Sequence, residues 1–211
     1  MIYQICALLI LLFFYTCYLG KIIIQKKQSI KTNQVGTGNK TKKVATVEII
    51  MSFANTLNVG VEIISIFLTP SKFLWPIKVL GIALGIIAVI FFGRATADMK
   101  NNWRVGIPEE KTNIVTNGIY KLSRNPAFVG FDLLYISILL LSFNIPLLLI
   151  SVWAMIMLHF QILQEEEWLG RTFGEEFEVY RSKVCRYLGR KIWLIMDDVK
   201  NELSYIWQWT K

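Results

Sequence analysis

Residues 127–163 read AFVGFDLLYISILLLSFNIPLLLISVWAMIMLHFQIL, and this stretch decides the fold. It holds two apolar runs, 127–143 and 146–163, separated by a short junction around Asn144. A helix crosses the hydrocarbon of a bilayer with about 20 apolar residues, and both runs come close to that length. The junction is too short for a soluble loop, so the two runs are predicted to form an antiparallel helical hairpin.

The whole chain has the composition of an integral membrane protein. Of its 211 residues, 54% are hydrophobic and only 18% are charged, and the mean hydropathy is +0.46. A soluble domain of this length needs far more charge to cover its surface. Three further apolar runs, at 5–24, 44–68 and 73–93, precede the hairpin. The predicted fold class is therefore an all-α polytopic membrane protein with about five transmembrane helices, plus cytoplasmic and interfacial helices.

The basic residues alternate between the loops. The formal net charge is +8, with many lysines and arginines in 21–43, in 94–124 and after 171, and few in the other connections. This alternation follows the positive-inside rule. It predicts a multi-pass protein of the cell membrane with its N-terminus outside and its C-terminus cytoplasmic. The positive charge then faces anionic lipid headgroups rather than nucleic acid.

Polar segments and helix breakers divide the chain into three predicted regions. These are transmembrane helices over 1–98, a region over 99–190 that contains the hairpin, and an amphipathic interfacial helix over 191–211. Residues 29–43 are polar and contain glycines, which predicts a flexible cytoplasmic loop. Pro108 breaks any helix within 99–116, and Asn117-Gly118 signals a turn. Gly174 is predicted to interrupt the helix that leaves the membrane.

Metal ligation is not predicted. The sequence shows no cluster of histidines, cysteines and carboxylates at metal-ligand spacing. His159 is the single histidine and lies in an apolar run. We expect it to be packed and hydrogen-bonded rather than to act chemically.

Arg124-Asn125-Pro126 comes directly before the first arm of the hairpin. The residue before a proline avoids helical angles, so the helix is predicted to begin at Pro126 or Ala127. The free N–H groups at that helix end, with Arg124 beside them, suit an anionic group such as a carboxylate or a phosphate. Gly130 would allow close approach to the backbone. The alternative is that Arg124 only anchors the chain at the cytoplasmic surface.

Glu165, Glu166 and Glu167 follow directly on the last apolar run. Clustered carboxylates repel one another and gain nothing from anionic lipid. We therefore expect Glu165 and Glu166 to face a cationic ligand, and Glu167 to pair with Arg171 at i, i+4.

The two motifs together predict one cytosol-facing pocket between helices. Arg124 would form its anion site, and Glu165 with Glu166 would form its cation site. S-adenosylmethionine has this polarity, because it carries a carboxylate, an ammonium group and a positive sulfur.

The sequence around this pocket also resembles a known family. The motifs that carry the resemblance are Thr116-Asn117-Gly118-Ile119-Tyr120, Arg124-Asn125-Pro126-x-Phe128-x-Gly130 and Glu165-Glu166-x-x-Leu169-x-x-x-Phe173-Gly174-x-x-Phe177-x-x-Tyr180. They are similar to those of the isoprenylcysteine carboxyl methyltransferase family and its bacterial relatives, and more distantly to phospholipid methyltransferases. The similarity covers about residues 99–187.

The resemblance implies an S-adenosylmethionine-dependent methyltransferase embedded in the bilayer, with 99–190 as its cofactor-binding region. The implied cofactor contacts are Thr112, Asn113, Ile114, Val115, Tyr120, Asn125, Pro126, Ala127, Phe128, Gly130 and Glu165. The implied catalytic positions are Arg124, Gln161, Glu165 and Glu166. The cofactor is expected to enter from the cytosol, and a lipophilic or lipidated acceptor from the membrane.

Gln161 departs from the family pattern. The family places an arginine four residues before the first glutamate, where it is thought to hold the carboxylate of the acceptor. A glutamine donates a hydrogen bond but supplies no charge. The predicted acceptor is lipophilic, either a prenylcysteine-like carboxylate or a thiol, amine or lipid, and Gln161 favours a neutral nucleophile over the carboxylate.

Two other function classes stay open on the sequence. A membrane reductase of the sterol type would need more basic residues to bind the phosphates of NADPH. A non-catalytic membrane protein is the second alternative, because Glu48, Glu62 and Asp132 lie in or near apolar runs, where acids can mark ion pathways. These acids are scattered along the chain, without an inverted repeat.

Overall fold

The computed structural model describes residues 1–69, 72–109 and 112–191, and this part of the chain is helical. Its α-helices, numbered in chain order, are α1 (Ile2–Lys27), α2 (Lys42–Leu68), α3 (Trp75–Met99), α4 (Pro126–Leu141), α5 (Ile145–Phe173) and α6 (Glu175–Lys183). Two short 3₁₀ helices, Lys100–Asn102 and Gly118–Lys121, lie between α3 and α4. The predicted interfacial helix over 191–211 lies outside the described residues, apart from Lys191.

The predicted all-α membrane fold is confirmed, with one difference in its spans. Helices α1, α2, α3 and α5 are long and apolar enough to cross a membrane. Helix α4 is equally apolar but has only 16 residues. At 1.5 Å per residue it extends about 24 Å, less than the hydrocarbon thickness of about 30 Å. Four predicted spans therefore have spanning length, and the fifth is a shorter helix.

The hairpin forms at the predicted junction. Asn144 ends the turn, and its side-chain oxygen accepts a hydrogen bond from the Leu147 backbone N–H at 2.9 Å, which caps α5. The two arms pack mainly against different partners, α4 against α3 and α5 against α2. The hairpin is therefore open, and its arms leave space between them.

Helix α5 continues well beyond the membrane-length run. It carries Glu165, Glu166 and Glu167 on its last turns and ends at Phe173. Gly174 then adopts a positive φ of 54°, a conformation that glycine reaches without strain, and α6 begins at the next residue. The predicted interruption at Gly174 is confirmed.

The first loop, between α1 and α2, is held by contacts that its composition does not predict. The Gln34 N–H donates to the Val105 carbonyl at 2.9 Å, and the Val105 N–H donates to the Thr32 carbonyl at 3.0 Å. These bonds join the first loop to the segment that follows α3. The partner segment lies some 70 residues away (105 against 34, a separation of 71), where local composition gives no signal, and the flexibility of the loop stays a prediction.

Small residues bring α3 and α4 together. Gly130 on α4 is buried, and a Cβ atom added there would lie 3.1 Å from Cβ of Phe92 and 3.2 Å from the Ala88 carbonyl oxygen on α3. The absence of a side chain at Gly130 therefore allows these two helices to pack closely. Phe92 on α3 and Phe131 on α4 are also in contact, with ring centroids 5.4 Å apart.

A methyl group at this position is expected to separate the two helices. We predict that Gly130→Ala lowers the free energy of unfolding by about 1–3 kcal/mol, because the contacting atoms include backbone that cannot turn away. The midpoint of thermal unfolding in detergent measures the effect. Gly60→Ala in α2 is the matched control, since a Cβ there meets nothing within 4 Å. Equal midpoints for the two variants would contradict the packing role of Gly130.

Candidate functional site

A large cavity lies between the separated arms of the hairpin and is roofed by the segments 102–108 and 112–115. Together with its open mouth it encloses about 1160 Å³ of space. This space includes open solvent, and the volume of the cavity proper is about 160 Å³. Its inner part is lined by spanning helices and its outer part by loops, α6 and the ends of α4 and α5.

Most of the residues predicted from the sequence lie together in the wall of this cavity. They are Thr112, Asn113, Ile114, Val115, Tyr120, Arg124, Asn125, Pro126, Ala127, Phe128 and Glu165. Three predicted residues, Gly130, Gln161 and Glu166, do not line it. Gly130 packs α4 on α3, and Gln161 and Glu166 contact wall residues from behind.

Arg124 and Glu166 pair with each other rather than each facing a ligand. The Arg124 guanidinium donates to Glu166 Oε1 through Nη2 at 2.8 Å and through Nε at 3.0 Å. Its remaining nitrogen, Nη1, donates to the Val184 carbonyl at 2.8 Å and to the Arg181 carbonyl at 3.2 Å. The predicted separation into an anion site at Arg124 and a cation site at Glu166 is therefore wrong. A guanidinium and a carboxylate that are both withdrawn from water gain more from each other than from a distant ligand.

A second arginine completes this ion cluster, and the sequence did not single it out. Arg186 donates to Glu166 Oε2 through Nη2 at 2.9 Å and through Nε at 3.0 Å. Asn125 adds a hydrogen bond from Nδ2 to Glu166 Oε1 at 3.1 Å and another to the Arg186 carbonyl at 3.1 Å. Opposing guanidinium groups hold the carboxylate of Glu166 from both sides, so the cluster clamps the start of α4, the end of α5 and the segment after α6.

Glu165 is the carboxylate that faces the cavity. It lines the wall, and its Oε1 accepts a hydrogen bond from Gln161 Nε2 at 2.9 Å. Gln161 is fully buried and sits one turn earlier on α5. The residue that replaces the family arginine thus orients the glutamate from behind instead of presenting a positive charge to the cavity.

The first turn of α4 offers backbone donors to the same cavity. The Val129 N–H is bonded to the Asn125 carbonyl, so the N–H groups of Ala127 and Phe128 precede the first intrahelical bond. The Asn125 side chain does not cap them, because it is bonded to Glu166 and Arg186. Both Ala127 and Phe128 line the cavity, so an anionic group can be met by this helix end rather than by Arg124.

The roof of the cavity is fastened by Glu48, which is fully buried near the start of α2. Its Oε1 accepts from the Ile107 N–H at 2.8 Å, and its Oε2 accepts from the Gly36 N–H at 2.7 Å. Lys40 Nζ contacts the same carboxylate at 2.7 Å. Glu48 therefore joins the first loop and the roof segment, a role that required contacts distant in sequence and was not predicted.

Two tyrosines close the outer end of the cavity. Tyr180 on α6 donates from its hydroxyl to the Tyr120 carbonyl at 2.7 Å, and Tyr120 donates to the Ala95 carbonyl at 3.4 Å. Burial raises the pKa of both hydroxyls above the ordinary tyrosine value, so both stay protonated donors. The turn before Tyr120 is fixed by Asp98, which accepts from the Ile119 N–H at 2.8 Å.

His159 lies outside the cavity wall. Its Nδ1 contacts the Tyr187 hydroxyl, and the two rings are stacked with centroids 6.1 Å apart. The prediction of a hydrogen-bonded, packed histidine is confirmed. Among the described residues, no three histidines, cysteines or carboxylates are grouped so that they could hold a metal ion.

Comparison with known proteins identifies the region that builds this cavity. Residues 76–176 match the family model described as phospholipid methyltransferase. The match covers slightly less than half of the chain. The family lies within the isoprenylcysteine carboxyl methyltransferase-like superfamily, so the resemblance read from the motifs is confirmed at that level. A search of curated proteins found no match.

The matched region of the phospholipid methyltransferase family contains most of the cavity wall. It begins in α3, earlier than the motifs indicated, and ends in α6 before Tyr180. The family match indicates a methyltransferase, and the four apolar helices of spanning length indicate a membrane protein. Helices α1 and α2, which carry Tyr18 and Asn55 of the cavity wall, lie outside the matched residues.

Proposed function

We propose that this chain transfers a methyl group from S-adenosylmethionine to an uncharged lipophilic acceptor within the membrane. One observation carries the proposal. The segment 112–115, Tyr120, the first turn of α4 and Glu165 come from separate elements of the chain and line a single cavity. These are the positions to which the family resemblance assigns the methyl donor.

The polar groups of this wall fit the donor's charges. Glu165 offers a carboxylate to the ammonium and sulfonium groups, and the free N–H groups of Ala127 and Phe128 offer an anion site to the carboxylate. Aromatic and apolar wall residues such as Tyr120 and Trp168 offer surface for the adenine ring.

When bound, S-adenosylmethionine supplies a methyl group on a positively charged sulfur. Transfer to a neutral acceptor would leave the donor as a neutral sulfide that keeps the electron pair of the broken methyl–sulfur bond, and the acceptor would lose its proton to water at the open mouth of the cavity. The chain's part is alignment in a cavity that is largely screened from water, and such alignment is worth about 7–11 kcal/mol. Gln161 and the ion cluster serve it by fixing Glu165 and the start of α4.

The charges of the wall favour an uncharged acceptor. Arg124 is bonded to Glu166 and to two carbonyls, and Arg104 Nη1 donates to the carbonyls of Asn101 and Trp103. The charge of Arg124 is therefore balanced by Glu166 and not left for the carboxylate of an acceptor. This agrees with the replacement of the family arginine by Gln161. We further propose that the outer mouth of the cavity faces the cytosol, as the positive-inside pattern predicts.

Calorimetric titration of the detergent-solubilised protein tests the donor assignment. S-adenosylmethionine is expected to bind, and NADPH is not. Glu165→Gln keeps the size of the side chain but removes its charge, and we expect about tenfold weaker binding of S-adenosylmethionine, the loss of one charged hydrogen bond.

Glu167→Gln is the matched control for this titration. Glu167 is exposed and paired with Arg171, so its loss should leave the affinity unchanged. Binding of NADPH in place of S-adenosylmethionine would overturn the proposal in favour of a reductase. Equal affinities in the wild type and Glu165→Gln would remove Glu165 from the donor site.

A further inference from the structure

The inner end of the cavity is lined by spanning helices and carries one amide. Its wall there consists of aromatic and aliphatic side chains, including Tyr18, Phe92, Phe131 and Leu158, around Asn55. Asn55 lies at the middle of α2 (Lys42–Leu68), far along the helix from the roof contact at Glu48. It is the only carboxamide that the α-helices α1 to α5 contribute to the wall among the described residues.

The hydrogen-bonding capacity of Asn55 is only partly used. Its Oδ1 accepts from the hydroxyl of Tyr135 at 2.9 Å. Its Nδ2 contacts Sδ of Met51 at 3.1 Å, and a thioether is a weak acceptor. A second N–H remains available, so the amide presents a donor to the cavity.

The next polar residue on the same helix face does not offer this capacity. Asn58 donates from Nδ2 to Glu62 Oε1 at 3.1 Å and accepts from the Ser151 hydroxyl at 2.9 Å. Asn58 and Glu62 are fully buried and lie outside the cavity wall. They form a polar layer behind Asn55, and Asn55 is the member that reaches the cavity.

Depth and charge define what this donor can bind. A charged group at the middle of a membrane helix costs several kcal/mol unless it is paired, and the arginines of the wall are engaged elsewhere. A neutral oxygen in an apolar cavity, in contrast, gains a hydrogen bond that it cannot obtain from lipid tails.

We propose that Asn55, held by Tyr135, is a specificity-determining contact for the acceptor, and that the acceptor is an uncharged lipid whose oxygen accepts a hydrogen bond at this depth. The inference rests on the proposed function for the role of this ligand as acceptor. Tyr135 is a positioning residue, because it acts through Asn55.

Binding of three probes of equal chain length tests the inference without requiring activity. The protein is placed in nanodiscs that contain 1-hexadecanol, n-hexadecane or hexadecanoate at equal mole fractions, and tryptophan fluorescence reports binding through Trp103 and Trp168 in the wall. The alcohol is expected to bind the wild type at least about fivefold more tightly than the alkane or the carboxylate.

Variants of the amide should remove this preference. Asn55→Leu removes the donor at similar side-chain size, and Asn55→Ala removes it without adding bulk, which decides the matter if the leucine variant does not fold. Both should bind alcohol and alkane alike, and Tyr135→Phe should lower the preference without abolishing it. Thr56→Val is the matched control, because Thr56 is the exposed neighbour that bonds its own helix through the Ser52 carbonyl.

Two results would overturn the inference. One is equal binding of alcohol and alkane by the wild type, and the other is an alcohol preference that survives in both Asn55 variants. Titration with S-adenosylmethionine distinguishes a failure of the inference about Asn55 from a failure of the proposed function. Its affinity should be unchanged in the Asn55 variants, and a wild type that binds the alcohol but no S-adenosylmethionine would refute the donor alone.

Discussion

Replacement of Glu166 by glutamine is expected to destabilise the protein by about 3–5 kcal/mol, the range measured when one partner of a buried ion pair is removed. The Arg124 side chain is almost fully buried, and all three of its nitrogens donate hydrogen bonds. Two of them donate to Glu166, and the third donates to two backbone carbonyls. Without the carboxylate charge, the guanidinium groups of Arg124 and Arg186 would face each other across a neutral amide. The amide would also direct its own N–H₂ group toward one of these donors.

The midpoint of thermal unfolding in detergent measures this loss. For a chain of this length, 1 kcal/mol corresponds to about 2–4 °C, so we expect a decrease of roughly 6–20 °C. The affinity for S-adenosylmethionine should fall as well, because the cluster positions both the start of α4 and the turn of α5 that carries Glu165.

Glu167→Gln is the internal control for this prediction. It makes the same chemical change one residue further along α5, at an ion pair with Arg171 whose side chains are 62% and 75% exposed. Exposed pairs contribute about 0–1 kcal/mol, so the midpoint should hardly move. Similar midpoints for the two variants would show that the Arg124–Glu166–Arg186 cluster does not hold the fold together.

The contrast between these adjacent glutamates shows what the sequence could predict. The pairing of Glu167 with Arg171 follows from helical spacing, and it was predicted correctly. The pairing of Glu166 with Arg124 and Arg186 joins residues 42 and 20 positions apart, and only the folded chain brings them together. The sequence indicated that Arg124 and Glu166 belong to one region, but it could not show that they satisfy each other.

Helix boundaries were predicted well for a related reason. Apolar length, the proline at 126 and the glycine at 174 act on the local backbone, and the structure begins and ends helices at these positions. The open arrangement of the hairpin was not predictable, because it depends on which helix each arm packs against. That arrangement creates the cavity, so the candidate site was predicted in its residues but not in its shape.

The roof of the cavity supplies the second large effect. Glu48→Gln is expected to lower the free energy of unfolding by about 3–5 kcal/mol, because it leaves Lys40 as an unpaired cation whose side chain is only 8% exposed. The carboxylate of Glu48 accepts from two backbone N–H groups at different oxygens. A carboxamide has a single acceptor oxygen, so it can accept only one of these two hydrogen bonds. Its NH₂ group would face the other backbone N–H, and two donors form no hydrogen bond.

The effect should be local as well as global, which allows a direct measurement. Hydrogen exchange followed by mass spectrometry should show faster exchange in the first loop around Gly36 and in the roof around Ile107, whose N–H groups lose their acceptors. A looser roof should also weaken binding of S-adenosylmethionine by about tenfold, beyond any change that follows from unfolding. The reason is that part of the binding free energy would then be used to order the roof.

Glu109→Gln provides the matched comparison. Glu109 directly follows the roof segment 102–108, but its side chain is exposed, and the hydrogen bond to Gln34 at this position comes from the Glu109 backbone N–H. Exchange and affinity should both remain as in the wild type. If Glu48→Gln instead left the exchange of the roof unchanged while the affinity fell, Glu48 would act on the ligand directly, and the cavity would have to extend to the base of the first loop. If neither changed, the contacts between the two loops would hold the roof without the carboxylate, and the bonds of Val105 with Gln34 and Thr32 would be the element that shapes the donor site.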